Sequence, residues 1–234
     1  MNKKELVVKY RPLVQLACNI YNLRNLFRQR SAGKGTVTTS CALLDKVDFH
    51  ISGENNRVII EDFSRLKNCA VYISGNNNTI RIGAWSTLIQ AEFCIEDDGN
   101  EILLGEHTRI LGKTHLAAIE GTKIIIGKDG MFSSDVHFRT GDSHSILDMD
   151  GKRINGSEDI VLGEHVWVGT KTTCLKGAMV PDHSIIGAGS LVTKKFSTPN
   201  CILAGVPAKI VKENVDWSIH RVPVGEVAPD FVPQ

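Results

Sequence analysis

The sequence predicts an all-β fold, a parallel β-helix of triangular section, on three observations. Ile60, Ile82, Leu104 and Ile126 recur at intervals of 22 residues. Leu162, Val168, Cys174, Val180, Ile186 and Val192 recur at intervals of six. Turn-forming stretches, GENNRVI, GNNNTIRI and DGNEILL, precede the first three members of the longer repeat. Self-similarity at a fixed period marks a solenoid and outranks local propensity. Alternate strand residues share a face, so two inward residues and a turn fit one flat side of six residues. Three such sides close a coil of 18 residues, and 22 is that coil plus a four-residue excursion. Asn and Gly, which tolerate positive φ, occupy the excursions.

The elements follow in order. Residues 12–30 carry helical periodicity, with Leu13, Leu16, Ala17, Ile20, Leu23 and Phe27 on one stripe and Pro12 in the first turn. Basic residues crowd this region: Lys3, Lys4, Lys9, Arg11, Arg24, Arg28, Arg30 and Lys34, against Glu5. The helix is expected to cap the first coil and shield its open strand edge; peripheral contact with an anionic membrane is the alternative. Residues 1–57 are therefore a helical cap and lead-in, and 58–196 the β-helix. Six and twelve residues after each member of the 22-residue series come further apolar residues: Leu66, Leu88, Ile110 and Phe132, then Tyr72, Cys94, Leu116 and Phe138. All are expected inward, with small residues such as Ser64, Ser86, Thr108 and Ser190 at the corners. Trp85 and Trp167 are expected outward. Between Ile126 and Leu162 the step is 36 residues, which places an inserted loop at 140–158, TGDSHSILDMDGKRINGSE. Long loops on rigid scaffolds tend to carry function. After Val192 the hexads stop, and Pro199 and Pro207 mark a break. Residues 197–234 are expected to hold a short C-terminal helix in KIVKENVDWSIHR and an extended tail.

Composition bounds the function. A net charge of +1 removes global electrostatics as a reason to bind nucleic acid. No apolar stretch approaches the roughly 20 residues that span a bilayer, and the polar interruptions at Gln15, Asn19 and Asn22 argue against a signal peptide. The six cysteines form no CxxC pair, which points to reduced thiols and a cytoplasmic protein; Cys94 and Cys174 fall on expected inward positions.

The pattern of LGEHVWVGTKTT and VPDHSIIGAGSL, with AGVPAKIVK after it, resembles the hexapeptide-repeat acyltransferases. The segment from Asp159 to Lys212 carries the likeness best, and it is most similar to the galactoside, maltose and capsular-polysaccharide O-acetyltransferases. The resemblance implies a left-handed helix, against the usual crossover preference, and homotrimers with active sites between neighbouring subunits. It implies acetyl-coenzyme A as donor and a carbohydrate hydroxyl as acceptor. It further implies that Trp167 lines the active-site cleft, and that Thr170, Ala188, Thr193, Lys194, Lys209 and Lys212 contact coenzyme A. Lysine suits its anionic phosphates.

Acyl transfer to a hydroxyl needs a base, and histidine is the side chain best suited to that proton near neutrality. His144 lies in the insert, in RTGDSHSI, where the resemblance places the catalytic histidine. Asp142 or Asp148 is the candidate to hold its tautomer. His107, His165 and His183 are read as solvated corner residues. The γ-type carbonic anhydrases share the fold and bind zinc through three histidines, but no pair or triplet here has recognisable ligand spacing, so no metal is expected. The expected function is acetyl-coenzyme A-dependent O-acetylation of a carbohydrate in bacterial surface-polysaccharide assembly. A small acceptor (free sugar, nucleotide-linked amino sugar, serine or antibiotic) and a non-catalytic scaffold are the alternatives.

Overall fold

The structure, a computed structural model, describes residues 3–23, 29–31 and 35–231. Among these, strands form three sheets of seven, nine and eight members. The chain visits the sheets in rotation, and about seven coils stack along one axis. The first face opens each coil, with strands such as Arg57–Ile60, Thr79–Ile82, Glu101–Leu104 and Ile160–Leu162. The second face carries Thr87–Ile89, Arg109–Ile110, Met131–Phe132, Trp167–Val168 and Ile185–Ile186. The third carries Asp48–Ser52, Ala70–Ser74, Ala91–Glu96, Thr114–Ala118, Val136–Arg139 and Thr173–Leu175. Within the stack all pairing is parallel and in register, Ile80↔Ile102↔Ile124↔Ile160 on the first face for example.

The core is one column of apolar side chains along the axis. Ile82, Leu104, Ile126, Leu162, Val168 and Ile186 are all buried, as the repeat requires. Each corner between the first and second faces repeats one device. Phe63, Trp85, His107, Asp129, His165 and His183 take left-handed φ values of 63°, 61°, 59°, 58°, 54° and 54°. Where the next residue is Ser or Thr it turns its hydroxyl inward: Ser86 Oγ donates to Gly83 O at 2.7 Å and Thr108 Oγ1 to Gly105 O at 2.7 Å. The glycine is required by stacking, since a Cβ on Gly105 would lie 2.5 Å from the Lys128 nitrogen of the next coil. At the excursion corner Asn56, Asn78 and Asn100 are buried and form a ladder. Asn56 Oδ1 accepts from Asn78 N at 3.0 Å, Asn78 Oδ1 from Asn100 N at 2.8 Å, and Asn100 Oδ1 from Thr122 N at 3.0 Å. Their amide groups donate to loop carbonyls, Asn78 Nδ2 to Asp97 O at 2.9 Å. The Asn-rich turns are thus internal hydrogen-bond columns that satisfy buried backbone groups.

Four expectations change. On the third face Tyr72 and Cys94 point outward, and Val71 and Phe93 point in. The corner after Leu66 and Leu88 is one residue shorter than the corner after Ile110, so Phe93 pairs with Leu116 across a 23-residue step. A one-residue slip moves every side chain to the other face. Trp85 is half-buried at a corner, its ring 4.4 Å from that of Phe63. The C-terminal stretch is not a helix: Cys201–Ala204 joins the second face and Lys209–Glu213 returns antiparallel to it. Burial of one edge of the pair against the last coil outweighs helical propensity there. Residues 214–231 fold back without regular structure. Finally, the sheets extend beyond 58–196, since Thr36–Thr39 and Leu43–Asp45 already form strands.

At the N-terminus α1 (Lys3–Lys9) precedes α2 (Arg11–Asn22). Helix α2 lies over the first coil. Arg11 pairs with Asp62 at 2.8 Å, and Asn22 donates to Ala42 O and accepts from Leu44 N. Its inward contact is made by Cys18, whereas Leu13, Leu16 and Ile20 are exposed. Phe27, Arg24, Arg28 and Lys34 lie outside the described residues.

Candidate active site

The insert leaves the third face after Val136–Arg139 and rejoins the first face at Ile160. It is a short hairpin, bridged at Leu147 and Arg153, around a turn in which Asp148 Oδ1 accepts from the Asp150 and Lys152 nitrogens. Two anchors fix it to the coils. Glu120 accepts from Arg153 and from Ser157 Oγ at 2.7 Å; these partners push its carboxyl down to about 2. Asp142 accepts from Lys176 Nζ at 2.6 Å and Asn155 Nδ2 at 2.9 Å, and these bonds hold it below the usual carboxylate range.

Asn155 organises the loop from within. It is buried, its Oδ1 accepts from Ile146 N at 2.8 Å, and its Nδ2 donates to the His144 carbonyl at 2.9 Å as well as to Asp142. Backbone under His144 is thereby fixed, while the imidazole itself is exposed. It opens on a cleft of about 450 Å³ lined by Arg139, Asp142, Ser143, Leu175 and Lys176. Among the described residues no carboxylate bonds the imidazole: Asp142 is engaged by Lys176 and Asn155, and Asp148 by its own turn. Sequence reasoning missed Asn155, Lys176 and Glu120. Only Asn155 left a signal, an Asn-Gly turn pair near the end of the insert.

Trp167 lies on the second face, 36% exposed, between Met131 and Ile185. Its ring centroid is 6.1 Å from that of Trp217. One chain does not bring it to His144, which hangs from the opposite end of a third-face strand. The residues expected at coenzyme A cluster toward the C-terminal coils. Thr170 and Ala188 occupy the same corner on successive coils, with Gly189 N donating to Thr170 O at 2.8 Å. Thr170 Oγ1 donates to Ser134 O at 2.8 Å. Thr193 and Lys194 follow Leu191–Val192, the strand that starts from that corner, and both are exposed. Lys209 stands opposite Ala204, and Lys212 opposite Ile202.

The corner histidines are not simply solvated. His165 stacks on Trp217 at 4.2 Å and 11°, and its Nε2 lies 2.9 Å from Trp217 O. His183 Nδ1 lies 3.1 Å from Asp216 Oδ2. The C-terminal segment covers that corner.

No family model matches the chain. The solved structure of a polySia-specific acetyltransferase superposes with a TM-score of 0.74 at 31% identity, over 85% of this chain and 91% of that one. The chain belongs to the hexapeptide-repeat acyltransferase family. A second solved member, a polysialic acid O-acetyltransferase, gives a TM-score of 0.78 at 29% identity over 85% and 93%. The helix is left-handed, as in these members. Among curated members, the polysialic acid O-acetyltransferase of Escherichia coli O1:K1 / APEC is 37% identical over 91 residues, 38% of this chain and 29% of that protein. The galactoside O-acetyltransferase of Escherichia coli (strain K12) is 41% identical over 61 residues, 26% of this chain and 30% of that protein. The chain thus matches under a third of the length of these curated members.

Proposed function

We propose that this protein transfers the acetyl group of acetyl-coenzyme A to a hydroxyl of a carbohydrate acceptor in bacterial surface-polysaccharide biosynthesis. The observation that carries the reading is His144, exposed over a cleft on a loop that Asn155, Asp142 and Glu120 hold rigid. The likeness to a polySia-specific acetyltransferase over nine-tenths of that chain favours a polymeric acceptor over a small one. His144 takes the hydroxyl proton as the oxygen attacks the thioester carbonyl. The tetrahedral oxyanion then collapses and expels the coenzyme A thiolate, so no covalent enzyme intermediate forms. Thr170, Ala188, Thr193 and Lys194 line the donor arm, and Lys209 and Lys212 face its phosphates. Three chains associate, so that Trp167 of one subunit lines the cleft over which a neighbour's His144 opens. Asp142 acts on His144 through the backbone that Asn155 shares, not through the imidazole.

The exposed stripe of α2 supports peripheral contact with the membrane on which a lipid-linked acceptor is assembled. No helix among the described residues is long and apolar enough to cross a membrane. Six free cysteines support a cytoplasmic site of action. A panel of glycan polymers and free sugars incubated with acetyl-coenzyme A tests the reading. Thiol release with a mass gain of one acetyl group on a polymer is expected; transfer to free sugars alone overturns the polymeric acceptor, and release with no acceptor product overturns the reaction.

A further inference from the structure

The one-residue slip on the third face has a chemical consequence. It turns Cys94 outward beside Glu92 on the same strand, and the parallel ladder sets His115 of the next coil opposite Glu92. The three ligand atoms already form a compact triangle. Glu92 Oε1 lies 3.0 Å from His115 Nδ1, Cys94 Sγ lies 3.6 Å from Glu92 Oε1, and Cys94 Sγ lies 4.0 Å from His115 Nδ1. A point equidistant from the three is about 2.1 Å from each, within the roughly 2.0–2.3 Å at which zinc holds carboxylate, imidazole and thiolate. All three residues are half-buried, which limits competition from solvent without closing the site.

We propose that Glu92, Cys94 and His115 form a binding site for a borderline-soft divalent cation of the zinc type, stapling the coil that holds Ala91–Glu96 to the coil that holds Thr114–Ala118. Carboxylate, thiolate and imidazole together select zinc over magnesium or calcium, which take oxygen ligands. Three protein ligands leave a fourth position open. His137, next in the ladder after His115, stands beside it with ring centroids 6.0 Å apart, and water is the other candidate for the vacancy. Burial and the Glu92 carboxylate push the free Cys94 thiol up to about 12. The metal-free chain therefore carries a protonated thiol at neutral pH, and a bound cation must expel that proton. No ligand spacing in the chain betrays the site, because the ligands are 2 and 23 residues apart and only coil stacking unites them.

The test uses tag-free, full-length chain stripped of metal and titrated with Co(II) and then Zn(II) at pH 7.5. One equivalent should survive gel filtration and give a thiolate-to-cobalt charge-transfer band, with about one proton released per metal, read from the buffer dependence of the binding heat. Cys94→Ser should abolish the band and the proton release, and His115→Gln should weaken binding at least about tenfold. Both side chains face outward, so circular dichroism should be unchanged in either variant. His183→Ala, at the other histidine cluster, should bind as the parent does. A parent that retains no metal overturns the proposal, and so does retained metal whose spectrum and affinity are indifferent to Cys94→Ser and His115→Gln.

Discussion

His144 can be a base only if its backbone is held while its ring stays free, and three side chains divide that task. Asn155 fixes the carbonyl of His144, Asp142 ties Asn155 to Lys176, and Glu120 holds the closing strand of the insert. His144→Ala should leave the fold and donor affinity intact and lower transfer roughly 10²–10⁴-fold, the range for a lost general base. Near-normal turnover on the true acceptor would remove His144 from the mechanism. Asn155→Ala strands a buried amide nitrogen and frees two carboxylate and carbonyl partners, a cost of about 1–3 kcal/mol confined to the loop. Hydrogen exchange should rise across 141–158, and melting of the coils should move little. The pH behaviour separates base from anchor. Asp142 is held below its ordinary value, so its anchor is complete above the unfolded carboxylate value of about 3.9 and is lost only as pH falls through the lower folded value. Between pH 8 and pH 5 the exchange protection of the loop, corrected for intrinsic rate, should stay flat, so a loss of transfer over that range would not come from the anchor. Parallel loss of both would assign the acid limb to the loop. The spacing of the repeat placed the insert and His144 within it; the roles of Asn155 and Lys176 depend on a hairpin whose closure has no period to betray it.

At the scale of elements, the Asn column and the glycine corners make the 22-residue coil. Asn78 sits mid-column, accepting from Asn100 and donating to Asp97 O. Asn78→Ala leaves the Asn100 N–H and the Asp97 carbonyl of the next coil without their partner and should cost about 2–4 kcal/mol. Denaturant melts of the variant should show it as a lower midpoint with an unchanged slope; an unchanged midpoint would mean that water replaces the column. The first and second faces were legible because their inward residues keep step with the period. The third was not, because Tyr72 and Cys94 obey the same arithmetic as Leu116 and Phe138 while the shorter corner after Leu66 and Leu88 inverts their orientation. Hydrophobicity does not resolve it: Val71 and Tyr72, or Phe93 and Cys94, serve either face. Helix α2 shows the converse. Its stripe was readable, but Leu13, Leu16 and Ile20 face away from the coil they were expected to cover. Replacing Leu16 and Ile20 together by Glu should abolish flotation with vesicles containing about one-third anionic lipid and leave coil stability unchanged. Equal flotation of parent and variant would assign the stripe to another surface.

A β-helix is quasi-one-dimensional, with each coil touching only its neighbours. Here α2 packs against Leu43–Asp45 at one end, and Lys209–Glu213 pairs with Cys201–Ala204 at the edge of the second face near the other; the association proposed above uses the faces. The exposed apolar side chains lie there: Trp167 on the second face, and Ile146, Leu147, Met149 and Ile154 on the insert. A site needing both His144 and Trp167 is incomplete in one chain, because the two leave different faces of the prism. A closed three-fold ring juxtaposes unlike faces of neighbouring prisms at every interface, which a two-fold pairing of like patches does not. Sedimentation at micromolar concentration should give three times the 25.7 kDa chain mass. Complementation tests the shared cleft more sharply. If the cleft is shared in a trimer, His144→Ala and Trp167→Ala should each inactivate every cleft of their own assembly. When the two are unfolded together and refolded in equal amounts, every mixed trimer holds one cleft in which the intact histidine of one chain meets the intact tryptophan of the next. Random assembly then restores roughly a quarter of parental activity. If both residues of a cleft came from the same chain, no mixed trimer would contain an intact site, and activity would stay at the level of the separate variants.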